Sequence, residues 1–181
     1  ETNLNIGWIV LATGSTGTHA GILAGLHAME VEIPVMGISV RQPEDKQIAA
    51  VHKLAVSTAA LLSDKPLGVE KVLVNDGYVG AGYGQPTEGT IDAIHLIAQR
   101  EGILLDPVYS GKGLAGMIGL IENSFFGSDK DLILALQDIS ISSLLRSKSG
   151  IIKFKSPKRR DFPNKSFLLP ITIWFDSFKI S

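Results

Sequence analysis

The twelve residues VLATGSTGTHAG, Val10 to Gly21, join an apolar run to a small-residue helix through a cluster of glycine, serine and threonine. A glycine-rich turn between a parallel strand and a helix points several unpaired backbone N–H groups at one place, and the positive end of the helix dipole reinforces them. That is an anion site, most often for phosphate. Ser15, Thr16 and Thr18 add hydroxyl donors, while Gly14 and Gly17 permit φ values and a close backbone approach that side chains would block. The competing reading is a tight turn that only connects two elements. The glycines fall at Gly14, Gly17 and Gly21, which is not G-x-G-x-x-G, and no lysine follows as a P-loop requires, so both nucleotide fingerprints are missing. A dinucleotide keeps one residue in its favour: Arg41 ends the next strand-like run, where it would meet an NADP 2′-phosphate or simply be a surface charge.

A second stretch, from Asn75 to Ile118, sets Tyr78 and Tyr83 in a glycine-rich loop and Tyr109, Ser110 and Lys112 just before a helix. Phenols beside a phosphate site can hydrogen-bond or transfer protons. Each tyrosine taken singly also suits packing with its hydroxyl at the rim; Asp106 with Pro107 also suits a plain turn, and Lys112 a surface charge at a helix start. His27, His52 and His95 have no second ligand at metal spacing, and His19 in the turn suits helix capping as well as ligand contact. No Ser-His-Asp set or carboxylate pair stands out.

These residues need a scaffold, and the hydrophobic pattern supplies one. Trp8 to Ala12 reads as a buried strand, Thr18 to Met29 as a buried helix, Pro34 to Val40 as a second strand and Val72 to Val74 as a third. Pro43, Glu44 and Asp45 suit a helix first turn, with Ile48, Val51, Ala55, Thr58 and Leu62 as its apolar stripe. Pro86 and Glu88 open another helix with Ile91, Ile94, Leu96 and Ala98 inward, closed by Gly102, and a last helix runs from about Gly113 to Glu122. Alternating strands and helices predict an α/β fold with a doubly wound, mostly parallel sheet in three αβα layers, in which ligands sit at the carboxyl ends of the strands.

Composition sets the outer bounds. The chain has 181 residues, 45% of them hydrophobic, which suits one domain with a sizeable core. A formal net charge of −1 gives no overall bias toward nucleic acid or membranes. Cysteine is absent, which removes thiolate chemistry and Cys-based metal sites and favours a reducing compartment. No apolar run is long enough to span a bilayer and the first residues lack a signal-peptide pattern, so the expectation is a soluble cytoplasmic protein. The chain opens without Met, which suggests sequence upstream. Residues 1–128 carry seven basic and thirteen acidic side chains, whereas 129–181 carry ten and five. The basic run through Lys153, Lys155, Lys158, Arg159 and Arg160, followed by the apolar patch Phe167 to Phe175, shows no sustained helix or strand period and suits a solvated or disordered tail better than a nucleic-acid site.

Together, VLATGSTGTHAG, GYGQPTEGTIDAI and EGILLDPVYSGKGLAGMI resemble the pyridoxal-phosphate enzymes of the D-cysteine desulfhydrase and aminocyclopropanecarboxylate deaminase family, of the tryptophan-synthase-β fold type. The resemblance covers Trp8 to about Ile121. It implies that Thr16, Gly17 and Thr18, with Ser15 beside them, cradle the cofactor phosphate. Tyr83 and Tyr109 match two active-site tyrosines that face the substrate, and Ser110 matches the position that meets the pyridine nitrogen. Deaminases carry Glu there and desulfhydrases Thr, so Ser110 favours a desulfhydrase acting on a small D-amino acid. The implied reaction is αβ-elimination to pyruvate, ammonia and sulfide, by a homodimer in the full-length form.

Two departures accompany the resemblance. The family's cofactor-bearing lysine, with a nearby Asn and Ser, belongs to an N-terminal half, and no lysine here matches it; Lys112 lies in a different motif. Where the family shows a His-Thr-Gly-Gly-like loop, Leu136 to Ser140 reads LQDIS. The expectation is therefore a pyridoxal-phosphate-binding portion over residues 1–127 and a divergent tail over 128–181, either disordered or read from a shifted frame, with a non-catalytic fragment as the alternative to a lyase.

Overall fold

The computed structural model describes residues 5–127, 131–136, 150–155 and 171–174. Its elements follow the order β1 (Ile6–Thr13), α1 (Gly17–Ala28), β2 (Val35–Ser39), α2 (Glu44–Ala59), β3 (Leu73–Asn75), α3 (Glu88–Glu101), α4 (Ser110–Glu122), β4 (Asp131–Leu136), β5 (Gly150–Lys155) and β6 (Ile171–Trp174). The sheet order is β3-β2-β1-β4-β5-β6. The first four of these strands pair in parallel, and β5 and β6 extend the sheet by antiparallel pairing.

A parallel sheet needs cover on both faces, and strands buried on both faces are apolar at successive positions. β1 shows this directly. Val10 enters a core with Met36, Ile38, Ile97, Leu114, Met117 and Leu132, beneath α3 and α4. Its neighbour Leu11 enters a second core with Ala20, Leu23, Val51, Ala55 and Val74, beneath α1 and α2. Two cores on opposite faces of one sheet make the three expected layers. α4 lies hard against the sheet: a β-carbon at Gly116 would stand 2.7 Å from the Ile38 side chain, and one at Gly113 would stand 3.3 Å from Ala12.

Several elements differ in detail from the sequence pattern. In α2 the buried stripe is Gln47, Val51, Ala55 and Ala59, while Leu62 lies beyond the helix end and is exposed. The stripe therefore includes a polar residue, which periodicity of apolar residues passes over. In α3 the inward residues are Thr90, Ala93 and Ile97, and Ile91 faces out. The helix is capped by Thr87 rather than opened by Pro86: Thr87 Oγ1 accepts from Thr90 N at 3.1 Å and bonds the Thr90 hydroxyl, so Thr90 is buried with its polar groups satisfied. Gly102 closes α3 at φ 66°, as its position predicts. Thr87→Ala should lower stability by about 1 kcal/mol in denaturant unfolding.

The sheet also continues past the change in composition at residue 128. β4 is hydrogen-bonded beside β1, and Leu132 and Leu134 are buried. β5 and β6 are short strands in a region through which no period is sustained, although Ile152 to Lys155 and Ile171 to Ile173 each alternate apolar and polar residues. Lys158, Arg159 and Arg160, and all of LQDIS but Leu136, lie outside the described residues.

Candidate active site

The Gly-rich turn leaves β1 at Thr13, the end of the central pair of strands, and enters α1 at Gly17. Its unusual residue is not a glycine. Thr16 has φ 69°, a left-handed conformation that a β-branched residue adopts only when its surroundings enforce it, whereas neither Gly14 nor Gly17 has positive φ. Thr16 Oγ1 donates to Ser15 O at 2.6 Å, so this hydroxyl is committed within the turn. Gly14 serves close approach: a β-carbon there would stand 2.7 Å from Val40 and 3.1 Å from the Tyr109 hydroxyl. At Gly17 a β-carbon would meet nothing within 4 Å. The space before the first turn of α1 is therefore open. Ser15, Gly17 and Thr18 are exposed there.

Helix N-termini leave backbone donors that side chains ordinarily satisfy. Glu44 N at the start of α2 donates to Asp76 Oδ2 at 3.0 Å, α3 has Thr87, and the amides of Val108, Tyr109 and Ser110 at the start of α4 donate to the Asp106 carboxylate at 2.7–2.9 Å. α1 has no side-chain cap and no acidic residue in its first turn. Among the described α-helices it alone has none of its first amides bonded to a side chain.

The second motif folds over this turn. Tyr109 brings its hydroxyl against Gly14, and Tyr83 packs edge-on to Tyr109 with ring centroids 6.1 Å apart. Burial, then the neighbouring Tyr83 phenol, pushes the Tyr109 hydroxyl above the ordinary tyrosine range, against a small opposing pull from Arg41. Tyr83 itself is 56% exposed. Tyr78 is elsewhere, with its hydroxyl against Gly119 on α4, where it packs on the core.

α4 begins at Ser110 rather than near Gly113, because Asp106 caps it. Burial alone would raise the Asp106 carboxyl, but hydrogen bonds from the Ser110 hydroxyl and from three backbone amides outweigh it and hold the group below the usual carboxylate range. Ser110 Oγ donates to Asp106 Oδ2 and accepts from Asp106 N at 2.8 Å. An Asp-Pro pair ahead of a helix is a legible capping signal. Lys112 departs most from its sequence reading. It is not a surface charge but fully buried, with Nζ donating to Val79 O at 2.6 Å and Gly82 O at 3.0 Å. Burial lowers its amine below the ordinary lysine range.

His19 neither caps the helix nor faces the turn's open side. It is buried, and a β-carbon at Gly37 would stand 2.6 Å from its ring and 2.8 Å from Thr13. Neither ring nitrogen has a partner with hydrogen-bond geometry, and burial holds the imidazole down at about 4. Beside it, Gln47 Nε2 donates to Thr13 Oγ1 at 2.9 Å. No sequence signal pointed to this pair. Among the described residues no group of three or more His, Asp or Glu could hold a metal, and no helix is long and apolar enough to cross a membrane.

Comparison with known proteins places this geometry in a family. Over 134 residues the chain is 40% identical to a D-cysteine desulfhydrase of Yersinia pestis (strain Pestoides F), covering 73% of this chain and 39% of that protein. Against the D-cysteine desulfhydrase of Serratia proteamaculans (strain 568) it is 36% identical over 133 residues, covering 74% and 40%. The crystal structure of an ACC deaminase homologue superposes with a TM-score of 0.62 at 31% identity, over 70% of this chain and 38% of that one. The chain thus spans about two fifths of the length of these relatives. Residues 1–138, which include β4, match the pyridoxal-phosphate dependent enzyme family, and the chain belongs to it.

Proposed function

We propose that this chain is part of a pyridoxal-phosphate-dependent carbon–sulfur lyase that acts on a small D-amino acid, D-cysteine foremost, by αβ-elimination: with one water consumed, D-cysteine gives pyruvate, ammonia and sulfide. The observation that carries the reading is the meeting of the uncapped α1 turn with Tyr109, the two distant motifs forming one site. The residues present fit a phosphate monoester. The first-turn amides of α1 are unengaged, Gly17 leaves room for oxygens to approach them, and Ser15 and Thr18 offer hydroxyls at the same exposed edge. Thr16 contributes through its backbone, since its hydroxyl is already used.

The cofactor, when bound, supplies the electron sink for the charge left when the Cα proton departs. The protein's part is to hold it and to manage protons. Tyr109, raised above the ordinary range, keeps its proton at neutral pH and can donate a hydrogen bond to a leaving group, with Tyr83 packed edge-on beside it. Ser110, which matches the position that meets the ring nitrogen, would put a neutral hydroxyl there instead of a carboxylate, its hydrogen bonded to Asp106 Oδ2 in this structure, and a neutral partner suits a reaction whose leaving group is good. That favours the desulfhydrase over the deaminase reaction. The reading carries with it a cytoplasmic location and a homodimer for the full-length form, with no nucleic acid or membrane as partner.

One observation favours a second reading, a half-site that holds the phosphate without turnover: Lys112, the buried lysine among the described residues, has its amine on two loop carbonyls. Titration with pyridoxal phosphate, competed by inorganic phosphate, tests the site; production of pyruvate from D-cysteine then separates lyase from half-site. In an active full-length enzyme, Tyr109→Phe should lower elimination far more than cofactor affinity. Equal loss of both would make Tyr109 a packing residue, and no binding at all would end the proposal.

A further inference from the structure

We propose that Lys112 is a positioning residue: its buried amine, seated on the carbonyl oxygens of Val79 and Gly82, fixes the glycine-rich loop that carries Tyr83 against Tyr109. The loop needs such a fixture. Gly80, Gly82 and Gly84 have φ of 67°, 147° and 76°, so Tyr83 is flanked on both sides by residues with unusual conformational freedom, costly to order. Within the loop the backbone bonds are few: Val79 N to Asp76 O at 3.1 Å and Gln85 N to Gly82 O at 3.3 Å.

Lys112 supplies what the loop lacks. Its two bonds, at 2.6 and 3.0 Å, fall on either side of Gly80 and Ala81 and end at the residue preceding Tyr83. On α4 it stands one turn after Tyr109, so a single helical turn presents one tyrosine and clamps the loop bearing the other. Among the described residues Lys112 forms no ion pair. Burying an amine without a counterion is unfavourable, and an apolar side chain would fill the same space at lower cost. The carbonyl contacts are therefore the gain that the amine brings, since a charged donor bonds a carbonyl more strongly than a neutral one. The clamp stands on contacts within the protein; only its consequence for catalysis rests on the proposed function.

Hydrogen exchange on the full 181-residue chain tests it without cofactor. In Lys112→Met the Val79 and Gln85 amides should exchange about ten- to a hundredfold faster, while the Val40 amide, bonded to Thr13 O in the sheet, stays unchanged. Phenolate absorbance, with the Tyr109 titration assigned by its loss in Tyr109→Phe, should show that group moving back toward the ordinary tyrosine range, because it loses its fixed neighbour. Lys112→Gln, which keeps a donor at nearly the same reach, should retain most of the protection, and ethylammonium should restore it in Lys112→Ala where tetramethylammonium, lacking N–H, does not. Unchanged loop exchange in Lys112→Met would overturn the proposal. So would equal loss at Val40, or a Gln variant and an amine that rescue nothing. A wild-type chain that binds no pyridoxal phosphate would count against the proposed function and leave this result standing.

Discussion

Gly17→Asp is expected to weaken pyridoxal phosphate binding by at least about thirtyfold while leaving the fold as stable as before, or slightly more so. The two effects have opposite signs for a definite reason. A β-carbon at Gly17 meets nothing within 4 Å, so the folded chain has room for the new side chain. α1 carries no acidic residue in its first turn, and a carboxylate there gains about 0.3–1 kcal/mol from the helix dipole. The same carboxylate stands where a dianion must approach. At about 5 Å and an effective dielectric of about 20, a pair of unit charges repels by about 3 kcal/mol; discounted for exposure, about 2 kcal/mol remains, which is the thirtyfold. Cofactor titration and thermal unfolding on the same sample give both numbers. Unchanged affinity would place the phosphate elsewhere, and a fall in stability would mean that the space before α1 is not open. Gly17→Ala adds a methyl group without charge and should change affinity much less.

The second large effect is on stability in acid. His19 is buried with both ring nitrogens unpartnered, and its pKa is held at about 4 against an ordinary value of 6.5. The unfolded chain therefore takes up a proton below about pH 6.5 that the folded chain refuses until about pH 4. Stability is full above that window and falls as the pH drops through it, by about 3 kcal/mol once both limits are passed. The loss is large against the 5–15 kcal/mol typical of a domain. Denaturant unfolding at a series of pH values should show this slope in the wild type and lack it in His19→Gln, whatever the variant's stability at neutral pH. An identical slope in both would assign the acid transition to other groups. Because His19 sits against Thr13 and Gly37, at the end of β1 beneath the turn, the same protonation is expected to loosen the phosphate site before global unfolding. Phosphate affinity measured across that window reports it.

Residue types and spacing determined a good deal by themselves. Apolar runs broken by glycine and proline specified the alternation of strands and helices and hence a covered parallel sheet, because a strand buried on both faces can hardly be written otherwise. The turn from Gly14 to Thr18 and the tyrosines at 83 and 109 stood out because amides at a helix start and phenols in a glycine-rich loop are local features. What tertiary structure alone decided were the buried polar groups and the pairings at long range. Lys112 and His19 are of types that usually face water, and only the packing of the 79–82 loop onto α4, and of α1 onto Gly37, puts them inside. The buried faces of α2 and α3 include Gln47 and Thr90, polar residues that sit inside with hydrogen bonds to Thr13 and Thr87 and that a count of apolar positions passes over. The strands β5 and β6 are too short for their alternation to stand out, and pairing places them, β5 along β4 and β6 along β5, through backbone hydrogen bonds that depend on neighbours no local window of sequence contains.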